Sequence, residues 1–280
     1  MKLVGIFSVP RSGSSWLGQV FNSSPDVRFA FQPMFAQQFR DKICVRSTGD
    51  DIVDYFEKIY ASQSDFLTQE DQMDKPELIR FPKRNKEQNF FVFKEVMFLY
   101  MIPTLLKEID DMHIIFILRN PLDVLTSWYN APREFYPEWD IYKEWRFAQS
   151  KMNFLPERYY GYEKWEEAVM LAKTMKERYP DRFFIVRYED LDENPNKYIR
   201  ELFEFTDIPF LSQTEDFIAE TRSCNDNNTY GVHRNKKTSS RDRKELPEEI
   251  RNEIKKRLDN FIEYIDWEEL KPYESIITPR

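Results

Sequence analysis

Apolar runs of strand length alternate along the chain with stretches in which apolar residues return every three or four positions. Leu3 to Val9 is the first such run, and it passes through PRSGSS into a helical pattern that starts near Ser14 or Ser15 and carries Trp16, Leu17, Val20 and Phe21. DVRFAFQP, residues 26–33, predicts a short second strand ending at its proline. In GDDIVDYFEKIY, Ile52, Tyr55, Phe56 and Ile59 recur at helical spacing. NFFVFKEV predicts a third strand, followed by a helix in MFLYMIPTLLKEID in which Pro103 introduces a bend or starts a turn. The clearest unit is MHIIFILRNPLDVLTSWYN, a strand, a short turn and a helix. Asn120 is its candidate cap, Pro121 suits the first helical position, and Asp123 places negative charge beside the open amides. A helix through YEKWEEAVMLAKTMKERY comes next, then a strand in DRFFIVRYEDL whose charged end emerges beside Tyr188, Glu189 and Asp190. A helix in NPNKYIRELFEFTDI and another from about Pro247 complete the order.

Strands that are apolar throughout, separated by helices, predict an α/β fold with a mainly parallel central sheet flanked on both faces. The 280 residues suit a single domain, 1–280, with no internal repeat. Two stretches depart from the alternation. Residues 62–89 are charged and broken by Pro76 and Pro82, and residues 132–162 are polar and aromatic, so both are expected as lid or acceptor-site excursions.

Charge and composition narrow the function. A net charge of −8 argues against nucleic-acid binding and against acidic membranes. Two cysteines, Cys44 and Cys224, and two histidines are too few for a disulfide framework or a Cys/His metal centre, so no metal is expected and a reducing cytoplasm is preferred. No apolar segment reaches transmembrane length, and oligomeric partners are left open.

Ligands of parallel sheets bind beyond the carboxyl ends of the strands, where PRSGSS, KEV, RNP and RYEDL would meet. PRSGSS offers the amides of Ser12, Gly13, Ser14 and Ser15 at a helix start, with the fixed charge of Arg11 and Trp16 just behind, an arrangement suited to a phosphate as well as to a plain turn. The G-x-x-x-x-G-K-[ST] pattern of nucleotide triphosphate loops is missing.

PRSGSSWL resembles the 5′-phosphosulfate loop of sulfotransferases that use 3′-phosphoadenosine 5′-phosphosulfate, and FILRNPLDVLTSWYN is similar to their 3′-phosphate segment. Both stand in the family's order, with RYEDL following. The resemblance is closer to the carbohydrate branch and implies a P-loop-like three-layer fold, with the phosphosulfate as donor and 3′,5′-adenosine bisphosphate as product. It also implies that Arg11 and the following amides hold the 5′ side, that Arg119 and Ser127 hold the 3′-phosphate, and that Tyr188 packs on adenine. A C-terminal basic loop would close over the nucleotide. There Ser239, Ser240 and Arg241 are the residues to test, although SSRDRKEL lacks the family's glycine and a solvated charge run explains the same residues.

FKEV resembles the Lys-Glu or Lys-x-x segment of carbohydrate sulfotransferases, in which an acidic residue, when present, is the proposed catalytic base. Glu95 is therefore the candidate base, and Lys94, with Arg11, the candidate stabiliser of the leaving phosphate. Burial would raise the Glu95 pKa and nearby cations would lower it, and a solvent-facing ion pair is the bland alternative. FQPMF, similar to an acidic-residue-proline segment of that branch, offers Gln32 and Pro33 to the acceptor, with Gln32 where the family has an acid. His233 in YGVHRNKK is a further acceptor-side candidate, whereas His113, at the far end of its strand from Arg119, is expected to be structural. The expected reaction is metal-independent sulfuryl transfer to a hydroxyl of a carbohydrate, glycolipid or small alcohol. The alternative is a noncatalytic module that binds adenosine bisphosphate.

Overall fold

The computed structural model describes residues 1–69, 81–223 and 244–276. Five strands form one sheet: β1 (Lys2–Ser8), β2 (Val27–Phe31), β3 (Phe90–Glu95), β4 (His113–Leu118) and β5 (Phe183–Arg187). Their order is β2-β3-β1-β4-β5, and every pairing is parallel. The register sets Phe7 beside Glu95 and Ser8 beside Ile117, so the first loop leaves the sheet level with the ends of β3 and β4.

Each strand alternates its side chains between two apolar layers, as the period of two requires. Phe7, Phe91, Phe93, Ile114, Phe116 and Phe183 face one core, which the helices Gly49–Ala61, Ile102–Glu108, Pro121–Tyr129, Tyr162–Arg178 and Glu248–Ile265 cover. Val4, Ile6, Val92, Ile115 and Val186 face the other, closed by Ser14–Asn22, Pro195–Phe205 and Ser212–Ser223. Helices covering both faces leave the strand ends as the open edge of the sheet. The chain leaves β1 toward β2 and β3, while β4 and β5 lie on its other side, which makes the mouth of β1 the topological switch point.

The expected cap is present, the Asn120 side chain accepting from the Leu122 amide with Pro121 at the helix start, and Thr48 and Asp51 form a reciprocal capping box elsewhere. One boundary differs from the expectation. The β5 strand stops at Arg187, and Tyr188–Glu193 is a helix, because Arg187 turns back to pair with Asp190. Residues 132–162 are anchored to the core: Phe135, Ile141, Trp145 and Tyr160 are buried, while Tyr136 and Tyr142 remain exposed. In the other excursion, the described part holds a short helix, Asp65–Thr68, with residues 70–80 outside the described residues. His113 sits at the opening end of β4, its ring edge-on to Phe205 and its Nδ1 3.1 Å from the Asp111 carbonyl.

Candidate active site

Two left-handed residues, Arg11 at φ 70° and Gly13 at φ 89°, fold PRSGSS back on itself before the helix Ser14–Asn22 begins. That helix has no side-chain cap, and amides in its first turn have no acceptor within the helix. The Tyr188 ring lies against Gly13 so closely that a Cβ there would stand 2.6 Å from two ring carbons. Gly13→Ala is therefore expected to combine left-handed strain with a clash and to cost about 2–4 kcal/mol. Urea unfolding of the variant checks this, and an unchanged midpoint would show that the Tyr188 ring yields freely.

Arg119 ties the second loop to the first. Its Nη1 donates to the Arg11 carbonyl at 2.7 Å, and its guanidinium lies 4.1 Å from the centroid of the Tyr188 ring. The Trp165 indole donates to the Arg119 carbonyl at 2.8 Å. The neighbouring Asn120 amide donates to Glu189, whose other oxygen accepts from the Tyr273 hydroxyl at 2.9 Å. The segments PRSGSS, RNP and YED thus interlock.

Arg11 also reaches into the next helix. Its Nε donates to Ser127 Oγ at 3.2 Å and its Nη1 to Glu134 at 3.3 Å, while the second Glu134 oxygen accepts from Lys151 Nζ at 2.6 Å. Among the described residues, the buried Oγ atoms of Ser8 and Ser12 and the buried Nε of Arg119 have no hydrogen-bond partner. Buried polar atoms are rarely left so, and these lie on the mouth of β1, on the loop that follows it and on the loop after β4, where an anion would satisfy them.

Lys94 and Glu95 are both buried, which removes the solvent-facing pair. The alternation of β3 holds to its end, so they point to opposite faces rather than together into one cleft. Lys94 shares the face of the helix Ser14–Asn22, with its Nζ 4.3 Å from the centroid of the Phe31 ring. Burial, joined by the nearby Arg11 charge and opposed by Glu95 and Glu134, lowers its pKa to about 8. Glu95 points the other way. Its Oε1 accepts from the amides of Val96 at 2.9 Å and Met97 at 3.3 Å, and its buried Oε2 has no partner among the described residues. Burial raises the Glu95 pKa to about 7 against the pull of the Val96 amide and Lys94. The Gln32 amide donates to the Lys94 carbonyl at 2.8 Å, and Gln32 adopts φ 41°, so the turn with buried Pro33 wraps the end of β3 on the Glu95 side.

The structure therefore brings together Arg11, Ser12, Gly13, Ser14, Ser15, Arg119, Ser127 and Tyr188, with Lys94, Glu95, Gln32 and Pro33 at the adjoining strand end. Trp16 sits one step back, its indole donating to Thr221 at 3.2 Å. His233, Ser239, Ser240 and Arg241 lie outside the described residues. Sequence reasoning missed Glu134 and Lys151, which sit in no motif: Glu134 meets Arg11 across more than a hundred residues, and Lys151 meets Glu134.

A parallel α/β sheet with an anion-ready loop at its switch point defines the class of protein. The sulfotransferase domain family matches residues 3–271, and the chain belongs to that family. Human carbohydrate sulfotransferase 3 is 29% identical over 135 residues, which is 46% of this chain and 27% of that protein, so the chain spans well under two thirds of this curated relative. Among solved structures, a mouse sulfotransferase complexed with PAP superposes with a TM-score of 0.58 at 16% identity, over 96% of this chain and 87% of that one. A sulfotransferase from Alicyclobacillus acidocaldarius gives a TM-score of 0.51 at 14% identity, over 92% of each chain. Among the described residues no helix is long and apolar enough to cross a membrane, and no cluster of His, Cys, Asp and Glu is set to hold a metal.

Proposed function

We propose that the protein transfers a sulfuryl group from 3′-phosphoadenosine 5′-phosphosulfate to an acceptor hydroxyl. The observation that carries this reading is the interlocked cradle of Arg11, Gly13, Arg119, Ser127 and Tyr188, with the buried Ser12 Oγ and Arg119 Nε lacking a partner among the described residues. The loop amides and Arg11 would hold the 5′ side, and Arg119 and Ser127 the 3′-phosphate, since a planar guanidinium suits paired bonds to phosphate oxygens. Tyr188 already stacks with Arg119 and offers a ring to the base.

The end of β3 divides the chemistry. Lys94 lies on the same side as the phosphate loop, where its charge and that of Arg11 offset the negative charge that grows on the departing phosphate. Glu95 lies on the opposite side under the Gln32–Pro33 turn, and its Oε2, without a hydrogen-bond partner among the described residues, suits it to take the acceptor's proton. The acceptor oxygen forms a bond to sulfur as the bond from sulfur to the bridging oxygen breaks; the proton passes to Glu95 and the electron pair leaves with the nucleotide phosphate. The acceptor is read as a hydroxyl of a carbohydrate, glycolipid or small alcohol, a preference supported by FKEV and FQPM together with the partial likeness to human carbohydrate sulfotransferase 3. A cytoplasmic location and a chain acting without metal belong to the same reading.

Calorimetry is expected to show 3′,5′-adenosine bisphosphate binding far more tightly than ATP, with no change on adding EDTA. Tighter ATP binding, or none by the bisphosphate, would sink the nucleotide assignment. A labelled-sulfate screen over sugars, glycolipids, phenols and alkyl alcohols then identifies the acceptor. Binding of the bisphosphate without transfer to any of them would favour a noncatalytic nucleotide-binding module.

A further inference from the structure

The cation cluster beside the first loop already contains an anion of the protein's own. Glu134 bridges Arg11 Nη1 at 3.3 Å and Lys151 Nζ at 2.6 Å, and its side chain is 25% exposed, so it stands at the rim of the cradle. Its backbone is fixed independently of that carboxylate: the Trp128 indole donates to the Glu134 carbonyl at 3.1 Å, and the Glu134 amide donates to the Ala131 carbonyl at 2.8 Å. Burial alone would raise the carboxyl pKa, but the charges of Lys151 and Arg11 overcome it and hold Glu134 below the usual carboxylate range. The carboxylate is thus ionised at neutral pH. Lys94 lies within electrostatic reach of both Arg11 and Glu134, so this carboxylate faces three cations.

From this geometry we infer that Glu134 is a positioning residue that competes with the nucleotide for Arg11 and so limits how tightly the nucleotide product is held. The inference rests on the reading of Arg11 as a phosphate ligand given above. A guanidinium that turns from a carboxylate to a phosphate exchanges one charge-assisted pair for another, and the net gain in affinity is correspondingly reduced. Lys151 makes the exchange reversible. It keeps hold of the other Glu134 oxygen when Arg11 leaves, so the half-buried carboxylate is never stranded without a cation. A transferase that must release a bisphosphate after each turnover gains from such an internal competitor, because an unopposed cluster of cations would retain the product.

Titration calorimetry with 3′,5′-adenosine bisphosphate tests this. Glu134→Gln is expected to bind the bisphosphate roughly tenfold more tightly than the parent, whereas in an Arg11→Met background the same substitution should shift affinity less than about twofold. The proposal is overturned if Glu134→Gln leaves affinity unchanged or weakens it, or if the tightening persists undiminished without Arg11. Should Glu134→Gln fail to fold, Glu134→Asp withdraws the charge by one methylene and is expected to give a smaller tightening of the same sign; no tightening there counts against the role. A parent protein that does not bind the bisphosphate at all removes the nucleotide reading instead, whereas a parent that binds and a variant that matches it remove only the role of Glu134.

Discussion

Glu95→Gln is expected to lower the rate of sulfuryl transfer by roughly 10²- to 10⁴-fold while changing nucleotide affinity by less than about twofold. The substitution keeps a carbonyl oxygen for the amides of Val96 and Met97, so the end of β3 retains its anchor, but the group can no longer take a proton. Its pH dependence carries the sharper test. With Glu95 raised to about 7 by burial and Lys94 lowered to about 8 for the same reason, the base is ionised only above the first value and the cation is lost above the second. The parent should therefore show a narrow bell in kcat/KM, its two limbs belonging to the coupled pair, and Glu95→Gln should lack the acidic limb. Full activity in the variant, or an unchanged acidic limb, would remove Glu95 as the base.

The same shift links to stability. The folded-state pKa of Glu95 lies above its ordinary 4.5, so the proton is bound more tightly in the folded protein. The stability this confers is complete below 4.5 and is lost as pH rises through about 7. Urea midpoints at about pH 5 and about pH 8 should converge in Glu95→Gln relative to the parent.

Arg119→Ala is expected to weaken binding of 3′,5′-adenosine bisphosphate by about 100-fold, the sum of a lost charge-assisted phosphate contact and the loosened tie between the two loops. The tie between the loops has two structural sources on this side chain: the bond to the Arg11 carbonyl and the stack on Tyr188. Arg119→Lys should recover only a small part of the affinity, because an ammonium cannot present the planar fork that spans carbonyl, ring and phosphate together. Calorimetry on both variants, with near-UV circular dichroism to verify packing, decides the matter; affinity within about twofold of the parent in either would show that Arg119 only closes the loop.

The elements that carry the site were legible because their causes are local. Apolar runs such as Phe91–Phe93 and Ile114–Leu118 needed no partner to announce buried strands, and the Asn120–Pro121 cap fixed where a helix must begin. The loops of the candidate site were legible for the same reason, since Arg11, Gly13 and Arg119 lie in short motifs at strand ends. The contacts between those loops were not, because they are set by the order in which strands pair. Ser127 was visible as a candidate, but its bond to Arg11 follows from β1 and β4 being neighbours. Glu134 and Lys151 left no trace in the pattern: they stand in a polar aromatic stretch whose path is fixed by the burial of Phe135 and Tyr160. The direction of the Glu95 pKa shift was likewise open until packing settled it, since one residue of alternation decides whether a carboxyl meets cations or core.

The hydroxyl of Tyr273 reaches Glu189 across 84 residues, and Glu189 in turn holds the Asn120 amide of the RNP turn. A ribosome making this chain has therefore finished all five strands well before it supplies the group that completes this brace. Truncation ahead of Tyr273 is expected to remove that brace and to weaken binding of 3′,5′-adenosine bisphosphate, which calorimetry measures.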